Sequence, residues 1–169
     1  MFIQEPKLGL KCNIQLSHVQ NRLEQENVSL IELHLEEGDL FGEKYEELKS
    51  RIRLIQEKGI RVILHHPMRI HQVLLNVAYR NCKEEDYFLL TTRILVELCE
   101  EFDVYTVVHM SYGENSESTR MERKPSKDVI VKSVARMLEI DESIGKGRIY
   151  WENGIAGNGA YHDDDYLAD

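Results

Sequence analysis

The stretch RIYWENG, residues 148–154, decides how the rest of the chain is interpreted. Its residues 149–151 are of the kinds enriched in strands, and they lead directly into the carboxylate of Glu152 and a glycine-containing turn. A buried parallel strand reads as such an apolar run. The sequence therefore places Glu152 at the carboxyl end of a strand.

Two earlier stretches have the same construction, and each leads into histidine. RVIL (61–64) runs into HHP (65–67), and VYTVV (104–108) runs into His109. A helical pattern precedes each of them. In α/β folds the carboxyl ends of parallel strands meet at one edge of the sheet, where ligands bind. We therefore expect three metal-capable side chains to meet at that edge.

Predicted strands and helices alternate along most of the chain. The helices are marked by apolar residues at helical spacing, such as Leu90, Ile94, Leu98 and Phe102. The stretch from Met68 to Lys83 is instead predicted to be a loop with one helical turn. Alternation of this kind indicates βαβ units and an α/β fold with a parallel sheet.

The expected architecture is a parallel-stranded (β/α) TIM-barrel-like fold that is incomplete, with about five β/α units. The 169 residues suffice for a single domain, 1–169, with a sizeable core. A closed (β/α)8 barrel typically takes about 250 residues, so about three strands of such a barrel would be absent.

Composition narrows the classes of protein. The 42% hydrophobic and 30% charged content is typical of a soluble protein. The chain has no apolar run of the roughly 20 residues that span a bilayer and no leader-like N-terminus, so we expect a cytoplasmic location. A net charge of -9 makes nucleic acid a less expected partner. Cys12 and Cys99 are predicted to be buried thiols.

With these strand ends assigned, the chain resembles the first five units of the xylose-isomerase-like TIM-barrel superfamily. That superfamily contains sugar and sugar-phosphate isomerases and epimerases and the endonuclease IV group of DNA-repair enzymes. The matching segments are IEL (31–33), HHP (65–67) with Asn76, VVH (107–109) with Gly113, and EN (152–153) with AGNG (156–159). The last segment is more similar to endonuclease IV than to most sugar isomerases.

The resemblance implies that His65, His109 and Glu152 are metal ligands and that Glu152 is catalytic. His65 matches the ligand position because Pro67 follows it by two residues. In the endonuclease IV group such residues hold zinc. In the isomerases the glutamate is one of four ligands to a single ion, and the other three come from strands six to eight, which this chain lacks. The implied cofactor is a divalent metal, zinc or manganese, and the two histidines favour zinc.

Four residues are predicted to bind substrate: Glu32, Asn153, Arg120 and Arg123. Glu32 ends a strand at the same edge, although an ion pair explains it equally well. The two arginines lie in the loop after the fourth long strand, where they suit a phosphate group, although such charges are usually only solvated.

The remaining histidines are interpreted as structural. His66 is expected on the opposite side of its strand from His65, because successive strand side chains alternate. We expect the others to be surface or loop residues, with His71 a candidate to line the site; they are His18, His34, His71 and His162.

The leading hypothesis is a metal-dependent sugar or sugar-phosphate isomerase or epimerase. One alternative is a zinc-dependent, endonuclease IV-like phosphodiesterase that acts on abasic DNA. Another is an inactive partial barrel that needs a partner chain. The expected partners are a small sugar or sugar phosphate and a second copy covering the open edge of the sheet.

Overall fold

A computed structural model of the protein describes residues 8–71, 73–75, 77, 80–109 and 127–152. The strands in this part are β1 (Leu8–Cys12), β2 (Val28–His34), β3 (Arg61–His65), β4 (Arg69–Ile70), β5 (Val73–Leu74), β6 (Tyr105–His109) and β7 (Ile149–Glu152). The helices are α1 (Leu16–Leu23), α2 (Gly42–Gln56), α3 (Lys83–Phe102) and α4 (Lys127–Ile140), and a π-helical turn, Asp141–Gly145, continues the last. The predicted alternation of strand and helix is confirmed.

Five strands form one sheet in the order β1-β2-β3-β6-β7. Every neighbouring pair in it is parallel. Each of α1, α2, α3 and α4 therefore lies in the crossover between two successive strands of this sheet. The chain has the predicted α/β, partial TIM-barrel-like fold.

The helices pack on one face of the sheet, and the hydrophobic core lies between the helices and this face. In β2 and β3 the alternate side chains that face the helices are fully or almost fully buried. They form one cluster with buried residues of the helices, among them Ile31, Leu33, Leu64, Leu48, Ile52, Leu95 and Leu98. Burying each such side chain contributes about 1.5–3 kcal/mol, so this face holds the sheet in place.

The opposite face of the sheet is much less covered. Leu30, Ile63 and Val107 are only partly buried on it, and Tyr105 and Tyr150 are 37% and 53% exposed. The two tyrosine rings contact each other with their centroids 4.9 Å apart. We call this surface, defined by these five residues, the open face.

The stretch after β3 differs from the predicted loop with one helical turn. β4 and β5 pair there as a short antiparallel hairpin. His71 lies at its turn with a φ of 46°. Hairpin turns are usually signalled by glycine or asparagine at positive φ, and a histidine at that position carries no such signal.

Two predictions from composition can be compared with the structure. Among the described helices, none is both long enough and apolar enough to cross a bilayer. Cys12 and Cys99 are buried, as predicted. Burial raises the pKa of the Cys99 thiol to about 12, so this cysteine is a protonated core residue.

Candidate metal centre

Three strands end in the three side chains that were expected to meet. β3 ends at His65, β6 at His109 and β7 at Glu152, and His109 pairs with Glu152 across β6 and β7. The two histidines are 2% and 4% exposed, whereas the glutamate side chain is 52% exposed. The group therefore lies at the carboxyl edge of the sheet, with its imidazoles buried and its carboxylate open to solvent.

The donor atoms of these residues lie within 4.8 Å of one another. Nε2 of His65 is 2.7 Å from Nε2 of His109, and Oε2 of Glu152 is 3.3 Å from His109 Nε2 and 4.0 Å from His65 Nε2. Two donors bound to one tetrahedral zinc ion are about 3.3 Å apart, given metal–ligand distances of about 2.0–2.1 Å. The three separations lie around that value, so the donor set fits one divalent ion after shifts of less than about 1 Å.

A backbone hydrogen bond determines which nitrogen of His65 is available. Its Nδ1 lies 2.9 Å from the carbonyl oxygen of His66, and because a carbonyl can only accept, Nδ1 carries the proton. The lone pair is then on Nε2, which faces His109. In the metal-free protein His109 donates its Nε2 proton to this lone pair, and a bound ion would take the place of that proton.

Burial keeps both imidazoles neutral. It lowers the pKa of His65 and of His109 to about 4, and the nearby Lys11 ammonium acts in the same direction. Metal ligation needs the neutral form of histidine. Neither ring therefore carries a positive charge at neutral pH, and His109 only has to move its single proton from Nε2 to Nδ1 to bind an ion.

His66 points to the helical face of the sheet, as predicted. It is 3% exposed, and its Nδ1 donates to the Pro67 carbonyl at 2.8 Å. Its Nε2 lies 2.9 Å from the Thr91 hydroxyl of α3, and burial lowers its pKa to about 4. His66 thus fastens the end of β3 to α3, directly behind His65.

On β2, the side chain of Glu32 points to the same side of the sheet as the open face. Its Oε1 forms an ion pair with Lys11 Nζ at 2.8 Å, with side-chain exposures of 31% and 51%. The structure therefore contains the ion pair that the sequence left open as an explanation of Glu32. It does not bring Glu32 into the group of three close donors.

His34 is a residue whose position the sequence analysis missed. It is the last residue of β2 and pairs in register with His65 on β3. The two ring centroids are 4.8 Å apart. Burial lowers the pKa of His34, and Lys11 adds to this effect. Its position offered a signal, because it follows Glu32 by two residues and so lies on the same face near the same strand end.

The other predicted site residues are only partly accounted for. His71 is described, with a side chain 84% exposed. Its backbone amide donates to Glu37 Oε2 at 2.7 Å, and its Nδ1 lies 3.0 Å from Glu37 Oε1, so it ties the hairpin to the loop after β2. The remaining predicted residues lie outside the described ones: Asn76, Gly113, Arg120, Arg123, Asn153 and 156–159.

Comparison with known proteins finds a likeness at the level of structure. Neither protein-family models nor curated proteins match the sequence. Among solved structures, the crystal structure of a D-tagatose 3-epimerase-like protein matches with a TM-score of 0.55 and 17% identity. The match covers 86% of this chain and 52% of that one. This chain therefore shares a fold with that protein and spans about half of its length.

Proposed function

We propose that this chain is a divalent-metal-dependent isomerase or epimerase of small sugars or sugar phosphates. The proposal is carried by two buried imidazoles and a carboxylate whose donor atoms lie within 4.8 Å at the carboxyl edge of a parallel sheet. Ligands bind at this edge in barrels of this type. The shared fold with an epimerase-like protein supports the same reading.

His65, His109 and Glu152 are the residues that would hold the ion, which is zinc or manganese in this proposal. Of these two metals, zinc is the one favoured by two nitrogen donors. Held by these residues, such an ion would supply Lewis-acid chemistry, which would polarise a substrate carbonyl and make a proton on the neighbouring carbon easier to remove.

The chain's own residues determine the direction from which a substrate can reach this site. The two buried histidines close the site towards the core, so a substrate must approach from the side of the exposed Glu152 carboxylate. We propose that Glu152 is catalytic, through the negative charge it places beside the substrate. Substrate binding is proposed for Glu32 and Asn153, and for Arg120 and Arg123 where the sugar carries a phosphate.

Elemental analysis tests the metal site. After dialysis against Zn²⁺ or Mn²⁺ and removal of free ions, we expect about one ion per unmodified chain. His109→Gln and Glu152→Gln should retain less than about a tenth of this metal content. Loss of a residue that merely hydrogen-bonds to a ligand already lowers metal affinity about 10–100-fold, and loss of the ligand itself should lower it more. His18→Gln is the matched control, since His18 is exposed on α1. Equal metal content in all four proteins would reject the site.

Solvent exchange tests the reaction. The metal-loaded chain is incubated with a panel of ketoses in D₂O, and the hydrogen on the carbon next to the carbonyl is followed by NMR. We expect exchange of this hydrogen for deuterium, slowed about a hundredfold or more in Glu152→Gln. Metal binding without exchange for any ketose would reject the isomerase proposal and leave the metal site standing.

The donor set also favours a second function, a zinc-dependent phosphodiesterase acting on abasic DNA. Two histidines and one glutamate are the ligands of several hydrolytic zinc sites, which keep one position for water. The net charge of -9 opposes approach of a polyanion. Binding to an abasic duplex should weaken steeply as salt rises, and no binding at low salt would reject this function.

A further inference from the structure

Four neighbouring strands of the sheet each end in a histidine or a glutamate. They are His34, His65, His109 and Glu152, at the ends of β2, β3, β6 and β7. The ring of His34 lies against that of His65 with centroids 4.8 Å apart and a tilt of 53°. The His65 and His109 rings are related almost identically, at 4.7 Å and 52°. His34 therefore extends the row of imidazoles by one strand.

The surroundings of His34 indicate where its proton lies. Its Nδ1 is buried and has no hydrogen-bond partner among the described residues. Buried N–H donors are almost always paired, because an unpaired one loses its bond to water. Nδ1 is therefore better occupied by a lone pair, which puts the proton on Nε2. Nε2 is not among the buried unpaired atoms, and His34 as a whole is only partly buried.

His34 is too far away to be a fourth protein ligand in this arrangement. It does not belong to the group whose donor atoms all lie within 4.8 Å of one another. It nevertheless touches one member of that group, His65. We therefore expect a molecule held by the three donors to lie beside the His34 ring.

We propose that His34 is a substrate-contacting residue, whose Nε2–H donates a hydrogen bond to an oxygen of a hydroxy-carbonyl ligand held at the metal centre. This inference rests on the proposed function, and it assigns His34 a role in binding the substrate rather than the ion. A neutral imidazole that donates in this way polarises a carbonyl without bringing a positive charge into the site.

A matched pair of variants tests the role of His34. His34→Gln keeps a side-chain N–H at a similar reach, and His34→Met has a similar length without a donor. The Co²⁺-loaded proteins are titrated with glycolohydroxamate, a small oxygen chelator, and the visible spectrum is followed. We expect Co²⁺ dissociation constants within about threefold of the unmodified chain in both variants. The probe should bind about tenfold or more weakly to His34→Met but not to His34→Gln.

Each outcome separates this inference from the proposed function. If the unmodified chain does not bind Co²⁺, the proposed function fails and this inference fails with it. If all three proteins bind Co²⁺ and both variants bind the probe equally, only the role of His34 is wrong. Loss of Co²⁺ from both variants would make His34 a metal ligand and also overturn the proposal.

A measurement on the unmodified, metal-free chain covers the case in which a variant does not fold. The ¹⁵N shifts of the imidazole nitrogens of His34 distinguish its two neutral tautomers at neutral pH. We expect the proton on Nε2. A proton on Nδ1 would leave Nε2 without the donor that the proposal requires and would overturn it.

Discussion

His65 and His66 are adjacent in sequence but lie on opposite faces of β3. His65 faces His109 and Glu152 across the strand ends. His66 faces α3, where its Nε2 lies 2.9 Å from the Thr91 hydroxyl and its ring packs against Phe88 with centroids 4.9 Å apart. One sequence motif thus supplies both a candidate ligand and the residue that anchors it, and the two roles can be separated by mutation.

We expect opposite effects from substitutions at the two positions. His65→Gln should weaken Zn²⁺ binding by more than about a hundredfold and change stability little. His66→Leu leaves the Pro67 carbonyl without its buried donor, so it should lower the free energy of unfolding by about 1–3 kcal/mol. Chelator competition and urea denaturation measure the two effects. The interpretation of the motif is wrong if the larger loss of metal affinity comes from His66→Leu.

The three buried histidines predict how stability depends on pH in the metal-free protein. The pKa values of His65, His66 and His109 are about 4 in the folded chain, below the value of about 6.5 in an unfolded chain. The unfolded state therefore takes up protons first as pH falls. The contribution of the neutral histidines to the free energy of unfolding is fully present above about pH 6.5. It falls by on the order of a few kcal/mol as the pH drops towards 4, and it changes little below pH 4.

Urea denaturation in the presence of a chelator, repeated from pH 7 to pH 4, measures this dependence. The double variant His65→Gln, His109→Gln should show a shallower fall between pH 6.5 and 4, because glutamine does not titrate. A double variant whose pH dependence matches that of the unmodified chain would mean that the pKa values of His65 and His109 are the same in the folded and the unfolded chain.

The helices α3 and α4 are joined by a partly buried ion pair between Glu85 and Arg136. Both side chains are 14% exposed. Glu85 also accepts from the backbone amide of Asn81, which has a φ of 57° just before α3 begins. This carboxylate therefore links the start of α3 to α4, and α4 is followed by the π-helical turn that leads to β7.

Removal of this ion pair should lower the free energy of unfolding more than removal of an exposed ion pair. Arg136→Met leaves the Glu85 carboxylate poorly paired and should lower the free energy of unfolding by about 1–3 kcal/mol. Lys146→Met is the matched control, because Lys146 and Glu100 form a pair with exposures of 55% and 44% and such pairs contribute about 0–1 kcal/mol. Urea denaturation compares the two variants, and equal losses would mean that the Glu85 pair has no special weight.

The elements and the core of the site could be predicted because their signals are local. Short apolar runs that lead into His65, His109 and Glu152 mark strand ends, and parallel strands must bring such ends to one edge. Glu85 and Arg136 carry no such signal, since they are 51 residues apart and meet only through the packing of two helices. His34 was predictable by the same logic, because it also ends a strand, but it was interpreted as a surface or loop residue.

At the scale of the whole molecule, the two faces of the sheet are unequally covered. The helices bury one face, while the open face keeps Tyr105 and Tyr150 exposed. In the part of the chain that the structure describes, β7 is hydrogen-bonded to a neighbouring strand only on the side of β6. An exposed strand edge beside aromatic side chains favours association with another chain. A second copy or a partner chain would cover the same surface.

We expect the chain to self-associate through β7 and the open face. Analytical ultracentrifugation over a range of concentrations should give a mass above the 19.8 kDa of one chain. Tyr150→Lys should weaken this association about tenfold or more, because it places a charge on the edge strand. Leu138→Lys is the control, since Leu138 is 60% exposed on α4 and should not matter. A monomer at every concentration contradicts self-association. If that monomer also binds metal but exchanges no ketose hydrogen, the result would favour a different polypeptide as the partner that covers the open face.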